Sequence, residues 1–229
     1  MDATDDFTPA PGVLVRFDAV QRTVHWINAV LFFALIVTAI PLYFGSLFGL
    51  VLPRHAVEQI HLYCGLALPV PILISLVGSW GRQMRRDLRR VSYWTRDELN
   101  WLRRRGTRLV RADKFNPGQK VNTIVVGASI VVMLGTGAIL KWFQPFSLSI
   151  REGATFVHDS LSFLLVIVIL GHVVMALTHP DELRSMFRGV ISAHWAQRFA
   201  PRWFAEESAS LERASDSLSS PGEGVGSRS

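Results

Sequence analysis

The chain has 229 residues, 49% of them apolar and 18% charged, with a net charge of +6 and a mean hydropathy of +0.28. The averages hide a segregated sequence, in which four long apolar stretches alternate with basic segments, and that excludes both an ordinary soluble globule and a disordered chain. A single cysteine excludes an internal disulfide framework and a cysteine-ligated iron–sulfur cluster or zinc site.

Residues 1–13 hold Asp2, Asp5, Asp6, Pro9 and Pro11 and read as a flexible polar tail. They lack the basic start and cleavage pattern of a secretory signal, so the first apolar stretch is expected to remain in the mature protein. Residues 14–205 form the domain proper. Its spans are expected at about 22–44, 57–80, 121–143 and 155–178, each near the roughly 20 residues that cross a ~30 Å hydrocarbon core. Pro69 and Pro71 predict a kink in the second span. The fold class expected is an all-α membrane protein, a bundle of four transmembrane helices in a lipid bilayer.

The segment from Arg82 to Lys120 carries thirteen Lys/Arg, whereas the connection between spans one and two has only Arg54. Loop 81–120 is therefore expected on the cytoplasmic side, with both termini, in a bacterial-type plasma membrane. The basic excess reads as this topology signal and not as a nucleic-acid surface. Within the loop Tyr93, Trp94, Leu99, Trp101, Leu102 and Leu109 mix with arginines. The mixture reads as an amphipathic helix at the inner membrane face, or alternatively as a solvated linker. Residues 206–229, rich in Ser, Gly and Glu, are expected to be disordered.

Four histidines fall at membrane depth: His25, His61, His158 and His172. An ionisable side chain there is expensive and points to function. His158 and His172 are 14 residues apart on one span. That is roughly 21 Å along the axis and roughly 40° in rotation, so they share a face. Chain direction then pairs His61 with His158 near the outer surface and His25 with His172 near the inner one. Two such pairs fit two b-type haems, each iron held by two imidazoles. Filled axial positions suit electron transfer rather than oxygen chemistry. Zinc fits less well, because most of these histidines have no Cys, Asp or Glu beside them. Asp159 points to another side of its helix than His158.

Gly65, Gly135, Gly137 and Gly171 suit either a macrocycle or ordinary helix packing. His55, His179 and His194 read as surface or capping residues, and Cys64 as a packing residue. Arg22 reads equally as a partner for a haem propionate or as one of the cytoplasmic-side charges.

Arg22-Thr-Val-His25-Trp26, His61 with Gly65, and the His158/His172 pair resemble the di-haem cytochrome b subunits of respiratory dehydrogenases. The stretch Lys114-Phe-Asn-Pro-Gly-Gln-Lys120 is similar to the K-[FY]-N-x-G-Q-K motif of formate dehydrogenase gamma subunits, and the Gly137 region and Trp195 with Pro201-Arg202-Trp203 also look alike. Pro117 and the Pro69/Pro71 pair depart from the family pattern without removing a ligand.

The resemblance implies that His61 and His158 bind an outer haem iron and His25 and His172 an inner one. It implies electrons arriving from an iron–sulfur subunit attached to a large molybdopterin-type catalytic subunit. Membrane quinone would accept them beside the inner haem, near Asn116, Gly118 and Gln119. Those amides and a helix-start N–H group can hydrogen-bond a quinone carbonyl, though Asn-Pro-Gly is equally a turn before a helix. The histidine pattern alone is shared with nickel–iron hydrogenase and thiosulfate or polysulfide reductase cytochromes. A haem-free membrane anchor is the alternative of a different class. The sequence holds no nucleotide loop or nucleophile arrangement, so quinone reduction is the only reaction expected of the chain itself.

Overall fold

In a computed structural model of the chain, residues 12–45, 53–103 and 112–219 are described. Four helices are long and apolar enough to cross a membrane. They are α1 (Ala19–Tyr43), the broken pair α2 (Arg54–Ala67) and α3 (Val70–Ser75), α6 (Pro117–Lys141) and α7 (Leu148–Thr178). Between and beyond them lie α4 (Arg82–Ser92), α5 (Arg96–Arg103), α8 (Pro180–Arg188), α9 (Ala193–Phe199) and α10 (Pro201–Ser219). Two short strands complete the order, β1 (Val13–Val15) before α1 and β2 (Val190–Ser192) after α8.

Three of the spans, α1, α6 and α7, start where a side chain replaces the missing carbonyl partner of the first N–H groups. Asp18 and Gln21 form a reciprocal capping box at α1, with Gln21 N donating to Asp18 Oδ1 at 2.7 Å and Asp18 N to Gln21 Oε1 at 3.1 Å. Ser147 Oγ accepts from Ile150 N at α7. The second span breaks where its prolines predict, because Pro69 and Pro71 have no N–H to donate. Leu68 closes α2 on the carbonyls of Cys64 and Gly65. The helix resumes at Val70 but stops at Ser75, five residues short of the expected Trp80. Gly78, at φ +76°, turns the chain, and Arg85 Nη1 donates to the carbonyls of Leu76 at 2.8 Å and Gly78 at 2.9 Å. The spans expose apolar side chains outward, among them Val30, Phe33, Phe156 and Ile167, as helices surrounded by lipid must.

The segments that flank the spans, β1 before α1 and β2 with α9 after α7, gather at one end of the bundle. β1 pairs antiparallel with β2, Leu14 opposite Ile191. The strands sit on a small buried core of Leu14, Ile191, Trp195, Ala196, Ala200 and Trp203. Gly189 makes the junction possible. It is left-handed at φ +80°, its carbonyl accepts from the backbone N–H groups of Arg16 and Phe17, and a Cβ there would lie 2.6 Å from Phe17 O.

A buried ionic lattice ties the same end together. Lys114 pairs with Asp87, which also accepts from Gln21 Nε2 at 2.6 Å. Lys120 pairs with Glu98 at 2.6 Å and donates to Tyr93 O at 2.9 Å. Arg90 bridges Asp113 and Glu206. Arg16 lies under the Trp195 ring and faces Glu182 at 3.6 Å. Burial pulls the Lys114 ammonium and the Arg16 guanidinium below their ordinary values, against the carboxylates that hold them up.

Two expectations are corrected. The segment from 206 is not disordered as far as Ser219: it continues α10, because Trp203 is buried and Glu206 and Glu207 pair with Arg90 and Arg86. Residues 220–229 lie outside the described residues, as do residues 1–11 of the expected N-terminal tail; Val13 already belongs to β1. The helix expected in loop 81–120 is divided into α4 and α5, and Leu109 falls in 104–111, outside the described residues.

Candidate functional site

The structure places the four span histidines at two levels, here called proximal and distal with respect to the paired strands β1 and β2. The proximal pair joins His25 of α1 to His172 of α7, with ring centres 6.2 Å apart and planes at 61°. Two imidazoles bound to opposite faces of one metal at about 2 Å stand with ring centres about 6 Å apart, each centre lying about 1 Å behind its nitrogen. The spacing suits two imidazoles that would share one metal. His172 is exposed and His25 half-buried.

The order of this pair is set by what surrounds it. The Trp26 ring meets His25 edge-on at 5.3 Å, packs on Phe187 at 4.6 Å and donates its indole N–H to Met186 O at 3.2 Å. Arg22 donates to Phe187 O at 2.6 Å and to Asp18 O at 3.3 Å. Arg22 therefore bonds backbone carbonyls at the end of α8. That helix directly follows α7, so these bonds fix the start of α1 against the end of α7.

The distal pair is built differently. It consists of His61 of α2 and His158 of α7. Each ring is held from the neighbouring span of its own hairpin. Thr38 Oγ1 of α1 lies 2.9 Å from His61 Nδ1, and Thr136 Oγ1 of α6 lies 2.9 Å from His158 Nδ1. The levels agree by two independent rulers. His25 to Thr38 is 13 residues and His158 to His172 is 14, both about 20 Å of helix.

These residues fit two haems. Each level offers two imidazoles, the number an iron needs once a porphyrin fills its other four positions. Among the described residues, no group of three or more His, Cys, Asp or Glu is placed to hold a metal. Asn28, one turn past His25, has a buried Oδ1 with no partner among the described residues, a polar group left waiting at the proximal level. Among the described residues, a Cβ at Gly135 or Gly171 would meet no atom of a neighbouring helix within 4 Å, so helix contact does not explain those glycines; at Gly137 it would touch His158 at 3.5 Å.

The Lys114–Lys120 motif turns out to organise the start of α6. Asn116 caps that helix, accepting from Gln119 N at 2.9 Å, while Gln119 Oε1 accepts from Asn116 N at 3.1 Å. Gln119 Nε2 reaches Glu182 of α8 at 2.8 Å. A Cβ at Gly118 would press on Asn116 Oδ1 at 3.2 Å. Asn116 and Gly118 remain exposed, and Asn116 Nδ2 makes no hydrogen bond among the described residues. His179 bridges α7 and α8, its Nδ1 2.8 Å from Met175 O, and His55 and His194 are exposed. Sequence reasoning missed Asn28, Thr38 and Thr136.

The family model of the prokaryotic cytochrome b561 matches residues 16–189, a segment that contains all four histidines and both threonines. The chain belongs to that family. It is therefore a multi-pass membrane cytochrome b, and its cofactor is haem b. Among curated relatives, the chain is 25% identical over 204 residues to the formate dehydrogenase cytochrome b556 subunit of Haemophilus influenzae, covering 85% of this chain and 83% of the relative. It is 24% identical over 213 residues to the cytochrome b556(Fdn) subunit of the nitrate-inducible formate dehydrogenase of Escherichia coli, covering 89% and 96%. The E. coli cytochrome b556(fdo) subunit is 23% identical over 214 residues, covering 89% and 97%. This cytochrome thus aligns with those subunits nearly end to end.

Proposed function

We propose that this cytochrome is the membrane subunit of a formate dehydrogenase complex, passing electrons through two bis-histidine haems to membrane quinone. The observation that carries the reading is the pairing of four membrane-depth histidines at two levels about 20 Å apart, with the proximal rings 6.2 Å apart. His61 and His158 hold the iron of one haem, His25 and His172 that of the other. Bound haem supplies reversible one-electron transfer, and two axial imidazoles per iron exclude other ligands.

The end that gathers the β1–β2 pair and the arginines of α4 lies in the cytoplasm, by the bias of Lys/Arg toward that side. The distal pair then lies near the outer surface, where an iron–sulfur subunit, itself bound to a large molybdopterin-type catalytic subunit, delivers electrons. The α4–α5 segment lies along the inner membrane face. Quinone docks at the start of α6, beside the proximal pair, near Asn116, Gly118 and Gln119. There Asn116 Oδ1 is engaged by the cap, while its Nδ2 is free to donate to a quinone carbonyl. Protons reach that end from the cytoplasm. The alignment with formate dehydrogenase subunits over most of both chains supports the choice of partner.

The test uses the complex isolated from its native membrane through a tag on this chain. Formate addition reduces the b-type haem bands, and a quinone analogue reoxidises them. Reduction by hydrogen and not by formate would overturn the formate assignment and place the chain with hydrogenase cytochromes.

A further inference from the structure

Thr38 and Thr136 occupy equivalent places in the two hairpins, α1–α2 and α6–α7. Each hydroxyl has two tasks. Thr38 Oγ1 donates to Ala34 O at 2.7 Å, and Thr136 Oγ1 to Val132 O at 2.9 Å, both one turn back on their own helix. Threonines in membrane helices commonly make that bond. Here the bond consumes the only hydroxyl proton and leaves the oxygen as an acceptor, 2.9 Å from a histidine Nδ1. The imidazole must then carry its proton on Nδ1, which frees Nε2 as the metal-binding nitrogen. The proximal pair has nothing equivalent: among the described residues neither the His25 nor the His172 ring makes a hydrogen bond, and their contacts are with aromatic rings and each other.

We propose that Thr38 and Thr136 are positioning residues of the distal haem, one for each axial histidine, which fix its tautomer and ring orientation and lower its reduction potential relative to the same ligation without them. This deepens the di-haem reading and rests on it. An acceptor at Nδ1–H increases the basicity of the ligating imidazole. A more basic ligand donates more electron density to the iron and favours the ferric state. Removing the acceptor therefore raises the potential.

The experiment compares the native chain, purified with its haem, with Thr38→Val, Thr136→Val, the double variant, and Thr38→Ser and Thr136→Ser. Valine keeps the shape and removes the acceptor; serine keeps the acceptor and removes the methyl group. The readouts are haem per chain, optical redox titration resolved into two components, and the low-spin ferric signals in electron paramagnetic resonance. The expected result is an upward shift of the distal component in each valine variant, larger in the double variant. The distal ferric signal changes, the proximal component stays at its native potential, and the serine variants return to native values. Loss of one haem in the valine variants with retention in the serine variants supports the proposal equally. Valine and serine variants that both match the native protein overturn it. So does equal disturbance by valine and serine, which would assign these positions to packing. A native chain without a second haem overturns the di-haem reading, and the proposal with it, and that outcome is read before any variant is made.

Discussion

The two histidine levels of this cytochrome are held in opposite ways. At the distal level each ring is anchored within its own hairpin, by Thr38 or Thr136, at 2.9 Å. At the proximal level the rings face each other across α1 and α7 without hydrogen bonds among the described residues. Their mutual position depends on Arg22 and Trp26, the junction at Gly189, and the buried ionic lattice beneath. Distal order is local and directional; proximal order is inherited from the fold of the capped end. One bundle thus holds two chemically identical histidine pairs with different degrees of independence from the rest of the chain. If each pair holds a haem, as proposed, damage to the capped end should reach the proximal one first.

The largest effect tests the pairing itself. His61→Ala and His158→Ala should each remove the same one haem of two, and His25→Ala and His172→Ala the other, read by haem per chain and by the redox component that disappears. If His61→Ala and His172→Ala eliminated the same component, the levels would be wrongly matched. Next comes the ionic lattice. Asp87→Ala strands Lys114, which is fully enclosed, and removes the acceptor of Gln21 at the head of α1. Removing one partner of a buried pair typically costs about 3–5 kcal/mol. Denaturant titration in detergent should show a loss of that order, with the proximal haem released before the distal one. Simultaneous release would break the comparison.

Gly189→Ala should cost about 1–3 kcal/mol, because alanine is strained at φ +80° and its Cβ would collide with Phe17 O. The same titration checks it, with the proximal haem again the more sensitive. The smallest effect is expected for Trp26→Phe, which keeps a ring near His25 and loses the indole bond to Met186 O. About 1 kcal/mol is expected, with a small change in the proximal ferric signal and none in the distal one.

What the sequence made legible follows from periodicity. The spans are readable because lipid demands unbroken apolar runs. The levels are readable because 14 residues on one helix return to nearly the same face. The break at Pro69 was visible for the same local reason. The Lys114–Lys120 motif was recognisable as a pattern, but its local role was not. Asp87, Glu98 and Glu182 lie 22 to 63 residues from the motif side chains they hold. Such partners are brought together only by the fold. The helix through residues 201–219 escaped notice because its composition is polar on average. Its order comes from Trp203 and from arginines of α4 more than a hundred residues away. Thr38 and Thr136 were silent for a different reason, since a threonine in an apolar run ordinarily bonds only its own helix.

The electron-transfer role depends on the proposal that this single chain holds two bis-histidine b haems. Haem extraction and protein quantification on the purified chain, alongside its oxidised and dithionite-reduced visible spectra, test it most directly. Two low-spin b-type haems per chain are expected. One haem would contradict one of the two pairs, and none in a folded preparation would contradict both.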